Sequence, residues 1–249
     1  MNNKKISVIM SVFNGENTLE KSIESILNQT YSNFEFLIVD DLSDDKTYQI
    51  LENYKNKDSR IRVFKNKENI GLTKSLNILL KQSKGFYIAR QDADDISTED
   101  RFYKQIDRLN EKNKQCVTAR AYVMQKNRKK IPGLSSYLPI KLISKYKNPF
   151  IHGTLLIESS LLKDLDGYDE RFKYAQDYKL FLDLIEKGIK IETIKEPLYF
   201  LNTENNISNN FKSEQNYYFY CAKNGVIPKY WILKVFVLYT FQECHWQLI

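Results

Sequence analysis

The first hundred residues alternate between short apolar runs and segments in which apolar residues recur every three or four positions. The apolar runs are rich in β-branched residues and predict strands, whereas the periodic segments predict helices. Regular strand–helix alternation with short connections is typical of an α/β protein with a parallel sheet and helices on both faces. The predicted strands are Ile6–Val12, Phe34–Val39, Ile61–Phe64 and Phe86–Gln91, and the predicted helices are Glu16–Asn28, Asp44–Lys55 (with Asp44 as its N-cap) and Leu72–Gln82.

The pattern loosens after Asp100, and the elements predicted there are less regular. The tail Ile227–Phe241 is aromatic, carries Lys229 and Lys234, and predicts a C-terminal helix that lies at an interface. We find no internal repeat and no linker. The other predicted elements are a helix at Arg101–Glu111, a strand at Cys116–Met124, a loop at Gln125–Tyr137, a strand at Gly153–Ile157, a helix at Gln176–Lys187 and a polar loop at Asn202–Asn210.

Polar segments follow three of the predicted strands. Ser11–Asn14 and Asp40–Asp41 follow the first two strands, and Asp92, Asp94 and Asp95 follow the fourth. Ligands of parallel sheets bind outside the carboxyl ends of the strands, so these segments are expected to converge on one site. Like charges this close repel each other, which predicts a metal ion, a basic side chain or water beside them.

Strand alternation predicts that Arg90, Asp92 and Asp94 share one face and that Asp95 lies on the other. No GxG sequence occurs, which argues against a dinucleotide site and a P-loop. A calcium loop starting at Asp92 would need glycine and glutamate where Ser97 and Tyr103 stand. The remaining motif, Asp92-Ala93-Asp94, can hold Mg²⁺ or Mn²⁺ beside phosphates, although an isolated motif of this kind is more often a solvated turn.

Net charge, cysteine and histidine counts and the lengths of the apolar runs limit the classes of function and the kinds of site that the chain can have. The formal charge of +7 suits nucleic acid, an anionic membrane or a phosphate-bearing substrate, and scattered basic residues equally suit a solvated surface. Three distant cysteines indicate a reducing compartment, and two histidines are too few for a typical zinc site. The N-terminus predicts a strand and not a signal peptide, and no run of about 20 apolar residues predicts a membrane-spanning helix.

Five segments of the chain carry a family resemblance: SVIMSVFNGENTLEKSIESILNQTYSNFEFLIVDDLSDDKT, NIGLTKSLN, GFYIARQDADD, HGTLLIESSLLKDLDGYDERF and AQDYKLFLDL. Together they resemble the family 2 glycosyltransferases of GT-A fold, a Rossmann-like nucleotide-binding architecture. The resemblance extends over residues 5–210 and is strongest to bacterial transferases that extend lipooligosaccharides or capsules, including β-1,3-N-acetylglucosaminyl transferases. It implies a catalytic domain at 1–210, with a nucleotide-sugar-binding half at 1–98 and an acceptor-side half at 99–210, followed by a helical extension at 211–249.

The resemblance also implies roles for individual residues at the donor end. Asp92, next to Ala93, would contact ribose or metal-bound water, and Asp94 would ligate the Mn²⁺ or Mg²⁺ that bridges the two phosphates. Lys74 and Arg90 would supplement that charge, the alternative being ordinary surface cations. The uracil and ribose of a UDP-sugar would be cradled by Ser11, Phe13, Asn14, Glu16 and Asp41.

At the acceptor end, Asp177 after Gln176 matches the general base that takes the acceptor hydroxyl proton, the alternative being a helix N-cap. His152 and Gly153 would line the sugar end of the pocket, although a structural role for the histidine is nearly as well supported. The chain departs from the family where many relatives carry Tyr-Arg-x-His, because Asn202 stands in the histidine position. The asparagine would serve as a weaker metal ligand or as part of a lid.

The resemblance therefore implies an inverting enzyme that moves a hexose or N-acetylhexosamine from a UDP-sugar to a lipid-linked or lipooligosaccharide acceptor at the cytoplasmic membrane face. The tail would bind an anionic membrane, a second subunit or its own domain, and no nucleic acid partner is expected. Two alternatives stay open: a sugar nucleotidyltransferase, which would not need Asp177, and a non-catalytic carbohydrate- or anion-binding module of the same fold.

Overall fold

Four apolar runs form the parallel half of the sheet. The computed structural model describes residues 4–125, 129–133, 139–204 and 211–229. In it the strands β1 (Ile6–Val12), β2 (Phe34–Asp40), β3 (Ile61–Lys65) and β4 (Tyr87–Arg90) pair in the order β3-β2-β1-β4. The connecting helices are α1 (Leu19–Leu27), α2 (Thr47–Lys57) and α3 (Leu72–Gln82).

The second half of the chain extends the sheet with mixed strand directions, in the order β4-β8-β6-β9-β5, and β7 also pairs with β6, at Ala121–Val123. Strand β9 runs parallel to β6, whereas the other new pairings are antiparallel. The elements are β5 (Ile96–Ser97), α4 (Arg101–Lys112), β6 (Cys116–Val123), β7 (Lys129–Ile131), α5 (Ile140–Ile143), a 3-10 turn (His152–Thr154), β8 (Leu156–Glu158), α6 (Ser159–Lys163), α7 (Gln176–Glu186), β9 (Ile191–Leu201) and α8 (Lys212–Lys223).

Helices cover both faces of the sheet, as the α/β pattern predicts. Alternate residues of β1 point to opposite sides, so that Val8 packs in a cluster with Ile23 of α1, whereas Ile9 packs in a second cluster with Leu76 of α3. Phe181 of α7 joins the second cluster. The mixed α/β fold with a C-terminal helix is therefore confirmed.

Several element boundaries differ from the predictions. Helix α2 begins at Thr47, so Asp44 is not its N-cap, and the carboxylate of Asp45 instead accepts a hydrogen bond of 2.8 Å from the Thr47 amide. Helix α1 begins at Leu19 and not at Glu16. Gly153, which was expected to start a strand, lies in the 3-10 turn.

Three strands were not predicted, and the shortest of them is the two-residue strand β5 (Ile96–Ser97). Strand β7 lies inside the segment 125–137 that was expected to be a loop. Strand β9 contains charged residues and Pro197, which argue against a strand in a single sequence. The proline pairs with Arg120 at a register shift between β6 and β9, and such an irregularity tolerates a residue without an amide hydrogen.

The C-terminal part of the chain is described as far as Lys229. The predicted interfacial helix therefore lies largely outside the described residues. Within the described ranges, none of the helices has both the length and the apolar character needed to cross a bilayer.

Candidate active site

The three aspartates lie in a turn between β4 and β5. Strand β4 ends at Arg90, so the strand alternation used to place Asp92 and Asp94 on one face does not apply there. Arg90 is almost fully buried, and its guanidinium donates a hydrogen bond of 2.5 Å to Asp92 Oδ1. A basic side chain is thus one of the positive groups beside this acidic turn.

Buried amide and hydroxyl groups hold the turn in place. The Ser22 hydroxyl of α1 donates to the carbonyl oxygen of Asp92 at 2.7 Å. The Gln91 amide nitrogen donates to the carbonyl oxygens of Asp92 and Asp95 at 3.2 and 3.0 Å. These bonds fix the backbone of the turn and do not involve the Asp92 and Asp94 carboxylates.

Arg101 of α4 is fully buried behind the turn and was missed by the sequence analysis. Its guanidinium donates to Gln91 Oε1 at 3.0 Å and to the Arg90 carbonyl oxygen at 2.7 Å. Burial lowers the pKa of Arg101 to about 10, so the side chain remains charged at neutral pH. Its position on the same helical face as Phe102, Ile106 and Leu109 was the available signal.

Asp95 is the buried carboxylate of the turn. Its side chain is 2% exposed, and its Oδ1 accepts a hydrogen bond of 2.7 Å from the Asn202 amide. Burial, together with repulsion from Asp92 and Asp94, raises the pKa of Asp95 well above its usual value. Asp95 therefore ties the end of β9 to the acidic turn and does not face solvent.

Asp94 is the most exposed of the three carboxylates in the turn. Surrounding protein atoms and repulsion from Asp92 raise the pKa of Asp94 to about 6. Among the described residues it has no lysine or arginine in ion-pair distance. Two neighbouring carboxylates with too little positive charge between them fit a hard divalent cation, which prefers oxygen ligands.

No group of three or more histidine, cysteine, aspartate or glutamate side chains in the described ranges is arranged to hold a metal ion. The protein therefore offers only part of a coordination shell. Mg²⁺ is commonly held by one or two carboxylates plus substrate phosphates, so this arrangement fits a site that a diphosphate completes.

The 3-10 turn lies against the acidic turn. A Cβ atom added to Gly153 would lie against the Tyr199 hydroxyl and 2.8 Å from Asp92 Oδ2. The Tyr199 hydroxyl accepts a hydrogen bond of 3.1 Å from the Asp92 amide. Only glycine permits this close approach, so Gly153 and β9 together shape one wall beside Asp92.

His152 lies next to Gly153 and is paired with a buried tyrosine. Its Nε2 is 2.7 Å from the Tyr168 hydroxyl. Burial and the nearby charge of Arg90 lower the pKa of His152 to about 3, so the imidazole is neutral at physiological pH. A neutral ring can accept a hydrogen bond or contact a sugar but cannot neutralise phosphate charge.

Asp177 lies in the first turn of α7, where Ala175 and not Asp177 occupies the N-cap position. The Asn148 amide donates a hydrogen bond of 2.7 Å to Asp177 Oδ2. Burial raises the pKa of Asp177, and the charge of Asp92 adds to this shift. Gln176, the first residue of the helix, is partly buried beside it.

The predicted nucleotide-binding loops after β1 and β2 are tied to each other. The Asn14 side-chain oxygen accepts from the Asp44 amide at 3.1 Å, and Glu16 Oε2 accepts from the Lys46 amide at 3.1 Å. Ser11 lies near the end of β1, and the Phe13 ring is 51% exposed at this rim. An exposed aromatic face on a fixed loop can stack on a base.

Asp41 is buried, and its carboxylate already accepts hydrogen bonds from other groups of the protein. Its carboxylate accepts from the Asn66 side chain at 2.7 Å and from the amides of Ile70 and Gly71 at 3.0 and 2.8 Å. It thereby fixes the loop that leads into α3. Any contact with a ligand would be made in addition to these bonds.

Two predicted residues are less directly connected to the acidic turn. Lys74 is exposed on α3 and lines a cavity of about 310 Å³ together with Arg171 and Lys173. The Asn202 amide oxygen accepts from Gln125 and from the Glu204 amide, so its backbone and not its side chain reaches the aspartates. Ala93 packs partly against the core, as the middle residue of the turn.

Comparison with known families gives a match to Glycosyl transferase family 2 over residues 7–163. The chain is 37% identical over 199 residues to the putative glycosyltransferase EpsE of Bacillus subtilis, which covers 78% of this chain and 72% of the relative. It is 34% identical over 190 residues to an Escherichia coli protein, the UDP-Glc:alpha-D-GlcNAc-diphosphoundecaprenol beta-1,3-glucosyltransferase WfaP, covering 74% of this chain and 72% of the relative.

Comparison with solved structures shows the same fold. The structure of S. aureus TarS in complex with UDP-GlcNAc superimposes with a TM-score of 0.70 at 24% identity, covering 81% of this chain and 59% of that chain. The mannosyltransferase PcManGT from Pyrobaculum calidifontis, in complex with GDP-Man and Mn²⁺, has a TM-score of 0.68 at 16% identity, covering 86% of this chain and 61% of that one. The chain thus spans less than two thirds of the length of both solved structures.

Proposed function

The chain belongs to glycosyl transferase family 2, and from this membership we propose that it transfers a hexose or N-acetylhexosamine from a UDP-sugar to a saccharide hydroxyl with inversion. The acceptor in this proposal is a lipid-linked saccharide of lipooligosaccharide, O-antigen or capsule type. The observation that carries it is the pairing of an acidic turn, Asp92 and Asp94 beside Arg90, with a separate carboxylate, Asp177, held by Asn148.

The names of relatives support the choice of donor and acceptor. WfaP is a UDP-Glc-dependent glucosyltransferase whose acceptor is a diphosphoundecaprenol-linked GlcNAc, and WbnJ, at 31% identity over 201 residues, is an O-antigen biosynthesis glycosyltransferase. TarS binds UDP-GlcNAc. The proposed UDP-sugar donor follows WfaP and TarS, and the proposed lipid-linked acceptor follows WfaP.

In the proposed reaction the donor diphosphate lies at the acidic turn and the nucleoside lies against the loops after β1 and β2. The bond between the anomeric carbon and the diphosphate oxygen breaks, so negative charge grows on the leaving UDP. The buried Arg90 guanidinium, fixed on Asp92, contributes positive charge close to this leaving group. Phe13 offers an exposed ring on which uracil can stack.

A divalent cation fits the same turn, with Asp94 and Asp92 as its protein ligands. When bound, Mn²⁺ or Mg²⁺ would neutralise the diphosphate charge. Asp95 and Arg101 have a supporting role in this site, because they hold the turn and the end of β9 without facing the donor.

Asp177 acts as the general base in the proposed reaction. A hydroxyl is a weak nucleophile, and a carboxylate within hydrogen-bond reach accepts its proton as the new glycosidic bond forms. The raised pKa of Asp177 makes the carboxylate more basic than an ordinary aspartate, while Asn148 keeps it oriented. Attack from the side opposite to the leaving diphosphate inverts the anomeric configuration.

We further propose that residues 1–98 bind the nucleotide and that residues 99–210 shape the acceptor side. Strands β1 to β4 supply the loops assigned to the donor, whereas Asn148, His152 and Asp177 come from the second half. A lipid-linked acceptor places the enzyme at the inner face of the cell membrane, as a peripheral protein.

The proposal is tested by incubating the purified protein with UDP-glucose, UDP-galactose or UDP-N-acetylhexosamines, Mn²⁺ and an undecaprenyl-diphosphate-linked sugar analogue. Mass spectrometry should detect a product one sugar longer together with free UDP. Release of pyrophosphate would instead identify a nucleotidyltransferase. Absence of transfer and hydrolysis with every donor and metal would favour a non-catalytic binding module.

A further inference from the structure

Exposed apolar and lysine side chains cluster on the acceptor side of the molecule. Leu142 and Tyr146 are 47% and 73% exposed, and they lie four residues apart in a stretch with helical hydrogen bonding, so they share one face. On α8, Tyr220 is 54% exposed. Tyr146 is adjacent to α8, because the Lys223 ammonium lies 5.8 Å from the centre of its ring.

We define the aromatic–lysine face by these residues and by the exposed lysines beside them: Leu142, Lys145, Tyr146, Lys147, Tyr220 and Lys223. No aspartate or glutamate occurs from Pro139 to Phe150 or from Gln215 to Lys229. None of the three lysines forms an ion pair with another described residue. The face is therefore positively charged as well as apolar.

Tyr178 joins this face to the proposed general base. Its hydroxyl donates to the Ser144 carbonyl oxygen, and its ring stacks on Phe219 of α8 with centroids 4.0 Å apart. Tyr178 directly follows Asp177, and Asn148 directly follows Lys147. Both parts of the face are thus attached to the two residues that form the acceptor end of the site.

We propose that the aromatic–lysine face docks on an anionic phospholipid bilayer and brings the Asp177 side of the site to the membrane surface. Lysines gain binding energy near anionic headgroups, and tyrosine and leucine side chains insert at the headgroup level. A second copy of the chain is a poorer occupant, because a two-fold contact would bring the lysines of one face against those of the other.

This inference deepens the proposed function and rests on it only for the identity of the acceptor. A lipid-linked saccharide extends from the bilayer by its headgroup, so its sugar hydroxyls are found near the membrane plane. Docking through a face next to Asn148 and Asp177 places the base where such hydroxyls are presented. The bilayer contact itself does not require that transfer takes place.

Vesicle co-sedimentation of the full chain tests the docking, using phosphatidylcholine vesicles with or without roughly a third phosphatidylglycerol. The test variant is Lys145→Gln/Lys147→Gln/Lys223→Gln. The control variant, Lys21→Gln/Lys57→Gln/Lys112→Gln, removes the same charge from exposed lysines of α1, α2 and α4. We expect the test variant to bind anionic vesicles about 100-fold more weakly than the control variant, which should bind like the unaltered chain.

A matched pair of tyrosine substitutions tests how much the aromatic side chain contributes to vesicle binding. Tyr146→Ser should weaken vesicle binding by about tenfold, whereas Tyr103→Ser, which removes a 42% exposed tyrosine from α4, should not. UDP binding is measured for every variant and should stay unchanged, which shows that the proteins are folded.

Equal losses in the two lysine variants, equal binding to vesicles without phosphatidylglycerol, or no binding of the unaltered chain would overturn the proposal. A change of oligomeric state in the test variant alone would assign the face to self-association instead. Failure of the glycosyltransferase proposal is recognised separately, because vesicle binding would persist without sugar transfer, and transfer to a water-soluble acceptor would persist without vesicle binding.

Discussion

The Asn148 side chain donates a hydrogen bond of 2.7 Å to Asp177, a residue 29 positions further along the chain. Asn148 follows the exposed segment after α5, whereas Asp177 lies in the first turn of α7. The bond turns one oxygen of the carboxylate toward the protein and lowers the pKa of Asp177 against the opposing effect of burial. It thus sets both the orientation and the basicity of the proposed base.

Substitution Asp177→Asn should reduce turnover by about 10²–10⁴-fold and leave UDP affinity nearly unchanged, because it removes the proton acceptor and keeps the shape of the side chain. Steady-state kinetics and UDP titration by calorimetry measure the two quantities. A parallel loss of UDP affinity would show that Asp177 supports the fold of the site and not the chemistry.

Substitution Asn148→Ala should move the acidic limb of the kcat profile to higher pH by about one unit, since a hydrogen bond to a carboxylate stabilises its charged form. At pH values well above the limb, turnover should approach that of the unaltered enzyme. The measurement is kcat against pH. A kcat that is lowered by the same factor at every pH would assign Asn148 a purely structural role.

Substitution of Asp94 should affect metal-dependent UDP binding, whereas substitution of Asp95 should affect the stability of the fold. Asp94→Ala should abolish Mn²⁺-dependent UDP binding with little change in the free energy of unfolding. Asp95→Ala should cost about 1–3 kcal/mol of stability, because it leaves the Asn202 amide without its partner. Calorimetry and urea unfolding separate the two effects.

Asp95→Asn is the matched control for this pair. It keeps an oxygen acceptor for the Asn202 amide, and the raised pKa of Asp95 means that a neutral side chain is tolerated there. Its stability should therefore lie close to that of the unaltered chain. Loss of metal-dependent binding in Asp95→Asn with unchanged stability would make Asp95 a ligand.

Substitution Gly153→Ala should weaken UDP-sugar binding by roughly tenfold to a hundredfold, an overpacking cost of about 1–3 kcal/mol. The added methyl would meet the Tyr199 hydroxyl and Asp92 Oδ2. Gly133→Ala is the control, since no heavy atom of the described residues lies within 4 Å of its added Cβ. Equal UDP-sugar affinities in both variants would show that the 3-10 turn can move away from Asp92.

His152 predicts a pH-dependent contribution to stability. Its pKa is lowered from 6.5 to about 3 in the folded protein, so the unfolded chain binds the additional proton. The contribution is fully present above pH 6.5 and is lost as the pH falls toward 3, by at most about 1.4 kcal/mol per pH unit. Urea unfolding of the unaltered chain and of His152→Gln, at several pH values, measures it as a difference.

The difference between the two proteins isolates His152 from the carboxylates. Asp94 and Asp177 have raised pKa values, so they add stability as the pH falls and partly offset the histidine in the unaltered chain. Glutamine can still accept from the Tyr168 hydroxyl. A stability difference that does not vary with pH would mean that His152 titrates normally.

The local pattern of apolar and polar residues determined much of the secondary structure of this protein. Strand β1 and helix α3 have the predicted bounds, because an apolar β-branched run and a three-to-four-residue period leave few alternatives once one face must be buried. The position of Asp92 and Asp94 after a buried strand also followed from sequence, since ligand sites of parallel sheets lie at the carboxyl ends of their strands.

Contacts between distant segments decided what the pattern left undetermined. Strand β9 exists because β6 pairs with it over eight residues, and a bulge accommodates Pro197, which a single sequence cannot reveal. Asp95 is buried because Asn202, 107 residues away, donates to it. Asn148 reaches Asp177 only after the chain has folded. Residue type and spacing determined which side chains are available for chemistry, whereas burial and long-range hydrogen bonds, which arise only in the packed protein, decided their orientation and protonation.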